Sequence, residues 1–161
     1  MAKADKSATM NRLHAAARLA RTALAARLLD HGFYAGQDQI MLALSLADGQ
    51  TPGQLASRLG VRPPTVTKTI NRLQAQGFLD KRASEADARQ AHIFLTESGR
   101  DAIRAIEKSV RKTEKLALKG LDKKEQKALA RLLARIEGNL ASATVPEPED
   151  ETEADAEQAM A

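Results

Sequence analysis

The 161-residue sequence predicts a mainly α-helical fold with one small β-hairpin, in the α+β class. Aromatic residues make up only 2% of the chain, while alanine and leucine are abundant, which favours helices packed through aliphatic side chains over a sandwich or a barrel. Apolar residues recur every three or four positions along most of the chain and alternate only around residues 78–96. The length suits one ordinary domain with a real hydrophobic core.

Two helices are predicted before residue 50. The first spans residues 7–31, has an alanine-rich face that permits close helix packing, and stops at Gly32. The second lies in GQDQIMLALSLADG and ends at Asp48-Gly49. Because residues 40–47 are nearly all apolar, we expect this second helix to be buried.

A third helix is predicted over residues 51–60, where start and stop signals lie close together. Thr51 and Gln54 form a Thr-x-x-Gln capping box, and Pro52 suits the first helical position. Gly60 suits the turn that follows. The residues expected to face inward are Leu55, Ala56 and Leu59.

The segment VRPPTVTKTINRL predicts a fourth helix that begins at two prolines. Pro63 and Pro64 fix φ in the first turn, where the missing N–H groups have no helical partner in any case. The residues expected to face the core are Val66, Ile70 and Leu73. The opposite face carries hydroxyls, an amide and positive charge, and no acid occurs over residues 62–72. Its members are Arg62, Pro64, Thr65, Thr67, Lys68, Asn71 and Arg72.

The period of the pattern changes after Gly77. FLDKRAS and QAHIFLT alternate between apolar and polar residues, and the polar stretch EADAR lies between them. Ala91, Ile93 and Leu95 fall on one face of the second stretch. This pattern predicts a β-hairpin with a charged tip.

Two amphipathic helices are predicted after the hairpin, over residues 97–119 and 122–140, with Gly120 between them. The second begins with an Asp122-x-x-Glu125 capping box. Their apolar stripes are Ile103, Ile106, Val110 and Ala117 in the first helix, and Leu129, Leu132, Leu133, Ile136 and Leu140 in the second.

The third and fourth helices and the hairpin together predict a winged helix-turn-helix. Small Ala56 and Gly60 let the two helices cross closely. The residues expected to fill the angle between them are Leu55, Leu59, Val61 and Val66. The fourth helix then lies where a major-groove reader is expected: its threonines suit phosphates or thymine methyls, Asn71 suits adenine, and its basic residues suit guanine or the backbone. The alternative interpretation is a polar face that only contacts solvent.

The formal charge of +4 conceals a strong asymmetry along the chain. Residues 144–161 contain seven acids and no lysine or arginine, which predicts a disordered acidic tail. Residues 1–143 contain 25 basic and 14 acidic residues, a net charge of +11. A strongly basic body indicates a polyanionic partner, usually nucleic acid, although a basic surface can also serve solubility alone. The tail is interpreted either as solubilising or as an internal mimic of DNA.

The sequence carries no signature of an enzyme or of a cofactor site. It has no cysteine, and His14, His31 and His92 are scattered, so we expect neither thiol chemistry nor a zinc site. There is no Ser-His-Asp arrangement, phosphate-binding glycine loop or dinucleotide fingerprint. No segment approaches the roughly 20 apolar residues of a membrane span. We therefore expect a cytoplasmic protein that does not contact membranes, although the N-terminus, rich in arginine and alanine, leaves a transit peptide open.

The segment QLASRLGVRPPTVTKTINRLQAQGFLDKRASEADARQAHIFLTESG resembles the multiple-antibiotic-resistance regulator (MarR) family. The most telling residues are Asp87-x-Arg89 at the hairpin tip, followed by Leu95-Thr96-x-x-Gly99. The resemblance implies that Arg89 enters the minor groove and that Asp87 orients it. An ordinary exposed salt bridge is the alternative for this pair. Arg82, on the same hairpin, is also expected to contact DNA. The Arg-Pro-Pro start of the fourth helix departs from the family's usual Ser- and Lys-rich start, which leaves the operator sequence open.

The same resemblance implies a homodimer with two recognition helices on a pseudo-palindromic operator. We expect an N-terminal dimerisation helix (1–34), a DNA-binding domain (35–99), C-terminal dimerisation helices (100–143) and the tail (144–161). Such regulators release DNA when a small aromatic or phenolic anion binds. The candidate ligand residues are His14, Arg18 and Arg21, with Met41 as an apolar wall. Hydrogen bonds between subunits are the alternative for the three polar residues.

These features predict a homodimeric, sequence-specific DNA-binding regulator, a repressor that a ligand releases. Two alternatives remain open on the sequence. One is an architectural DNA-binding protein with little sequence preference, and the other is a winged helix that contacts only proteins.

Overall fold

The computed structural model describes residues 6–87 and 89–143, and the predicted acidic tail lies outside these ranges. Within them the chain is mainly α-helical with one two-stranded antiparallel sheet, so the predicted fold class is confirmed. The elements are α1 Lys6–Leu29, α2 Gln37–Leu46, α3 Pro52–Leu59, α4 Pro63–Ala75, β1 Leu79–Ala83, β2 Ala91–Leu95, α5 Glu97–Ala117 and α6 Lys123–Ala143.

The chain forms two compact units, one that ends at Ala117 and one that begins at Leu118. The first unit contains α1 to α5 and the hairpin, and the second contains α6. The boundaries predicted after residues 34 and 99 fall inside the first unit, because α5 packs against both α1 and α2. The division into dimerisation and DNA-binding parts therefore stays a prediction.

The α2 helix lies at the centre of the first unit and contacts α3, α4, α5 and β2. Met41 on α2 is fully buried, as are Leu55 on α3, Ile70 on α4, Ile93 on β2 and Ile106 on α5. The expectation that α2 is buried as far as residue 47 is wrong at its end. Burial stops at Leu44, and the side chain of Leu46 is 77% exposed. At about 100° per residue, a helix in contact with the core on one side cannot bury every position of its last turn.

Both predicted capping boxes are confirmed. The Thr51 hydroxyl accepts a hydrogen bond from Gln54 N at 3.2 Å, and Thr51 N donates to Gln54 Oε1 at 2.9 Å. At the start of α6, Asp122 Oδ1 accepts from Glu125 N at 2.8 Å, and Asp122 N donates to Glu125 Oε2 at 2.8 Å. Each box pairs backbone N–H groups that the first helical turn leaves without a partner.

The hairpin is attached to the body at its base. Strand β1 pairs antiparallel with β2, and the loop before α3 adds one bridge between Gln50 and Ile93. Asp48 Oδ1 accepts from Leu95 N at 2.9 Å, and Asp48 Oδ2 contacts the Arg100 guanidinium at 3.2 Å. One carboxylate therefore links the end of α2 to β2 and to the first turn of α5.

The Leu95-Thr96-x-x-Gly99 motif forms the junction between the hairpin and α5. The Thr96 hydroxyl accepts from Gly99 N at 3.0 Å, as a helix cap does, and donates to Gly77 O at 2.7 Å. Thr96 N also donates to Phe78 O at 3.1 Å. The motif thus caps α5 and fixes it against the turn that leads into β1.

The apolar stripe predicted on α5 needs one correction. Ile106 is fully buried, but Ala117 is exposed, whereas Ser109 and Thr113 are buried. The Ser109 and Thr113 hydroxyls donate to the carbonyls of Ala105 and Ser109, each at 2.9 Å. A hydroxyl that bonds four residues back along its own helix is buried at little cost, and a search for apolar residues overlooks it.

The close approach of α5 to the hairpin predicts a strong effect of Gly99→Ala. A Cβ at Gly99 would overlap the carbonyl oxygen of Phe78, which is backbone and cannot move aside cheaply. We expect a loss of about 1–3 kcal/mol in the free energy of unfolding, measured by chemical denaturation. Gly138 on α6 is the matched control, since a Cβ added there would meet no atom within 4 Å and alanine favours a helix. An equal loss in both variants would contradict this packing.

Candidate nucleic-acid interface

The two faces of α4 differ as the sequence predicts. Val66, Ile70 and Leu73 are at most 1% exposed and pack into the core. The seven residues expected on the outer face are all exposed, and the fold brings them together on one surface. They are Arg62, Pro64, Thr65, Thr67, Lys68, Asn71 and Arg72. No acidic residue occurs in the sequence between Asp48 and Asp80, so this face carries positive charge only.

The start of α4 leaves its positive end open. Arg62 is the N-cap residue, and its side chain makes no capping hydrogen bond. Pro63 and Pro64 have no N–H to satisfy, and the first backbone amides, those of Thr65 and Val66, donate to Arg62 O at 3.0 and 3.2 Å. None of the first four residues of α4 offers a free N–H, so the attraction for an anion rests on the helix dipole and the Arg62 charge, which act in the same direction.

Lys81 connects the hairpin to α4. Its Nζ donates to Asn71 Oδ1 at 2.6 Å, which joins β1 to the exposed face of α4. The sequence analysis missed Lys81, because only the pairing of the hairpin shows which strand residues turn towards α4. The strand alternation holds the signal: Lys81 pairs with Ile93 and so shares the face that packs inward.

Arg82 lies on the opposite face of β1 and is held against the strand. Its guanidinium lies over the Phe94 ring, 4.6 Å from the centroid, and its Nε is 3.5 Å from Asp80 Oδ2. Both groups are largely exposed, so the ion pair contributes little to stability. Arg82 therefore stands on the wing with a fixed direction and an accessible charge.

The contact of Asp87 differs from the expected ion pair. Asp87 Oδ1 accepts a hydrogen bond from the backbone N–H of Arg89 at 2.9 Å, and Gln90 N donates to Asp87 O at 2.9 Å. Ser84 N donates to Gln90 O at 2.9 Å and closes the loop below the tip. Asp87 thus orders the backbone from which Arg89 projects, and the Arg89 side chain is exposed.

Two glutamines join the end of α4 to the turn between α1 and α2, and the sequence analysis missed them. Gln37 Nε2 donates to Gln76 Oε1 at 2.8 Å, and Gln76 Nε2 donates to Gly32 O at 3.1 Å. Gln37 Oε1 in turn accepts from Tyr34 N at 2.8 Å. Gln37 is only 2% exposed, so this chain of bonds fixes the angle at which α4 leaves the core.

Comparison with known proteins agrees with this geometry. Residues 37–90, which run from α2 to beyond the wing tip, match the sequence model of the MarR family. A MarR transcriptional regulator from Methanosarcina mazei Go1 has a TM-score of 0.78 at 19% identity, covering 86% of this chain and 93% of that one. A MarR family transcriptional regulator from Listeria monocytogenes, solved in complex with a 26mer DNA, has a TM-score of 0.76 at 19% identity, covering 83% and 89%. Bordetella bronchiseptica BpsR, whose DNA binding 6-hydroxynicotinic acid regulates, has a TM-score of 0.74 at 21% identity, covering 80% and 98%.

The segment that contains the helix-turn-helix and most of the wing is thus similar to the MarR family. The likeness to the solved structures establishes the winged helix-turn-helix fold, in which α3 and α4 form the helix-turn-helix and β1 and β2 form the wing. The exposed basic face lies on α4, the second helix of the helix-turn-helix.

The four candidate ligand residues differ in burial. His14, Arg18 and Arg21 are exposed on α1, whereas Met41 is fully buried in the core. A ligand reaches Met41 only if the core opens, so the assignment of these residues stays a prediction. An apolar cavity of about 390 Å³ lies between α1 and α5, and other residues line it. They are Ala16, Leu19, Ala20, Ala23, Thr113, Leu116 and Ala117.

Among residues 6–87 and 89–143, no cluster of three or more histidine or acidic side chains is arranged to hold a metal ion. None of the described helices combines the length and the apolar character that a bilayer span requires.

The backbone contact of Asp87 predicts that its charge is dispensable for ordering the wing tip. Asp87→Asn keeps a side-chain oxygen that accepts from Arg89 N–H, whereas Asp87→Ala removes it. We expect the amide resonance of Arg89 in the NMR spectrum to stay near its original position in the asparagine variant and to move towards the random-coil value in the alanine variant. An equal displacement in both variants would show that the carboxylate charge is what orders the tip.

Proposed function

We propose that this chain is a transcriptional regulator of the MarR family, a homodimer that binds specific double-stranded DNA. Each subunit inserts α4 into the major groove of one half-site and the wing into the adjacent minor groove. The observation that carries the proposal is the exposed face of α4, where three basic residues, an amide and two hydroxyls lie together without an acid. In a twofold dimer the two half-sites lie about one DNA turn apart, on a pseudo-palindromic operator.

Different residues of α4 suit the phosphates, which position the protein, and the base edges, which carry the sequence. Arg62 and the hydroxyls of Thr65 and Thr67 suit phosphates, which fix the register of the protein on the duplex. Lys68, Asn71 and Arg72 lie further along the same exposed face, where they suit base edges in the major groove.

The wing contributes a second, independent contact. Its tip is ordered by the bond from Arg89 N–H to Asp87, and the exposed guanidinium of Arg89 is free to enter a minor groove. A narrow A·T-rich minor groove has an enhanced negative potential that favours an arginine. Arg82, which stacks on Phe94, suits the flanking phosphates. The Listeria protein of the same fold that was solved with a 26mer DNA supports DNA as the partner.

The dimer is supported by apolar side chains that remain exposed on the helices outside the winged domain. They are Leu19 on α1, Leu116 on α5, and Leu129, Leu132 and Leu140 on α6, each between 37% and 67% exposed. Exposed apolar stripes on amphipathic helices are typical of surfaces that bind a partner. We propose that these faces pair with those of a second copy.

We further propose that the protein represses transcription and that a small aromatic anion releases it from DNA. The regulation of BpsR by 6-hydroxynicotinic acid supports this class of ligand. His14, Arg18 and Arg21 present a histidine and two positive charges on one exposed helix, which suits a carboxylate or a phenolate.

Removal of the wing arginine tests the DNA-binding mode. We expect Arg89→Ala to weaken binding to a duplex selected from genomic fragments by about tenfold or more, because one charge-assisted contact is lost. Fluorescence anisotropy of the labelled duplex measures the change. Arg104→Ala, which removes an exposed arginine from α5, is the charge-matched control and is expected to change the affinity little.

Unchanged affinity in Arg89→Ala would favour a winged helix that contacts proteins instead. Equal binding to selected and random duplexes at physiological salt would favour the architectural alternative, because phosphate contacts alone carry no sequence preference.

Titration of the protein–DNA complex with aromatic acids tests the ligand. We expect 6-hydroxynicotinic acid or a simple hydroxybenzoate to lower the anisotropy of the bound duplex. Arg18→Ala and Arg21→Ala are expected to raise the concentration needed for release, while Arg12→Ala on the same helix serves as the control. Release that is unaffected by the first two variants would contradict the assignment of these residues.

A further inference from the structure

Lys81 and Asn71 form one hydrogen-bonded unit that bridges the wing and the recognition helix. Lys81 Nζ lies 2.6 Å from Asn71 Oδ1. Lys81 is half-buried and pairs across the hairpin with the fully buried Ile93, so the core fixes the strand position from which its side chain starts. Asp80 and Arg82, its neighbours along β1, lie on the opposite face of the strand with Phe94.

The chemistry of the two groups fixes which way the Asn71 amide is turned. An ammonium group only donates hydrogen bonds, so the oxygen of the amide faces Lys81. The amide NH₂ group of Asn71 then remains available, and no other hydrogen bond to this side chain occurs within residues 6–87 and 89–143. Asn71 is exposed on the DNA-facing side of α4. The side of the unit that faces DNA in the proposed complex therefore carries the two N–H donors of the Asn71 amide, with the positive charge of Lys81 beside them.

A pair of side chains that offers only hydrogen-bond donors is expected to prefer guanine to adenine in the major groove. Guanine offers two acceptors there, N7 and O6, whereas adenine offers N7 and the N6 amino donor. An asparagine recognises adenine by accepting from N6 with its oxygen while it donates to N7. Beside Lys81 one lone pair of that oxygen is already occupied, and an adenine amino group that approached the other would meet the ammonium as donor against donor.

We propose that Lys81 is a specificity-determining residue, which turns Asn71 into a donor and makes the pair select guanine instead of adenine. This inference rests on the proposed function, in which α4 reads the major groove. It replaces the adenine expected from Asn71 alone, and it assigns a role in base reading to a wing residue.

Selection from a randomised duplex library with the full-length protein tests this inference. Asn71→Ala identifies the base that Asn71 reads, as the operator position whose preference disappears. We expect the unaltered protein to prefer guanine at that position by at least about fivefold over adenine. Lys81→Met keeps the length of the side chain and removes the donor, and is expected to shift the preference towards adenine.

Two further variants separate base reading from simple loss of charge. Lys81→Arg retains a group that only donates and is expected to keep the guanine preference. Lys108→Met removes an exposed lysine from α5 and is expected to leave the preference unchanged. A merely electrostatic role for Lys81 predicts weaker binding to all sequences alike with the same base preference, and that result would overturn the inference.

A measurement without DNA separates failure of this inference from failure of the proposed function. The side-chain NH₂ resonances of Asn71 are expected to shift in Lys81→Met and to stay near their positions in Lys108→Met. If they do not shift, the Lys81–Asn71 contact is absent and the inference fails, whatever the protein binds. If they shift but no duplex is enriched, the proposed function fails and the inference with it. If a duplex is enriched and adenine is preferred at the Asn71 position, only the inference fails.

Discussion

The burial of one side of α4 is the constraint on which the rest of the structure depends. Val66, Ile70 and Leu73 are held in the core by α2 and α3, and burial of each such side chain stabilises the fold by about 1.5–3 kcal/mol. A helix that is fixed along one side has no freedom to rotate about its axis. The direction of every residue on its other side follows from that restraint, so the packing of the core aims the polar face.

The wing is positioned by polar contacts rather than by a large apolar surface. Asp48 accepts from Leu95 N, Gln50 bridges Ile93, and Thr96 bonds to the turn before β1. A two-stranded hairpin on its own is only marginally stable in water. These contacts replace the third strand that the sheet lacks, and they hold the wing at a fixed distance from α4. The bond between Lys81 and Asn71 is possible only because the base of the wing is fixed in this way.

Charge and apolar surface are separated along this chain. The basic residues of α4 lie in a stretch of sequence without acidic residues, whereas exposed leucines lie on α1, α5 and α6. The basic surface suits a polyanion, and the surfaces with exposed leucines suit the apolar surface of a partner. The two kinds of surface share no residues, so the proposed contacts with a partner copy and with DNA do not compete.

The sequence by itself determined the helices, their capping boxes, the hairpin and the buried side of α4, because each depends on periodicity or on bonds between residues a few positions apart. It also indicated the polar face of α4 and the charged tip of the wing. Only the tertiary structure decided that Gln37 bonds to Gln76 and that Lys81 bonds to Asn71. The burial of Ser109 and Thr113 could not be predicted from the sequence either, because it depends on which helices pack against α5. Periodicity assigns a residue to a face, but the atom that a polar side chain contacts depends on the relative placement of elements, which no local pattern contains.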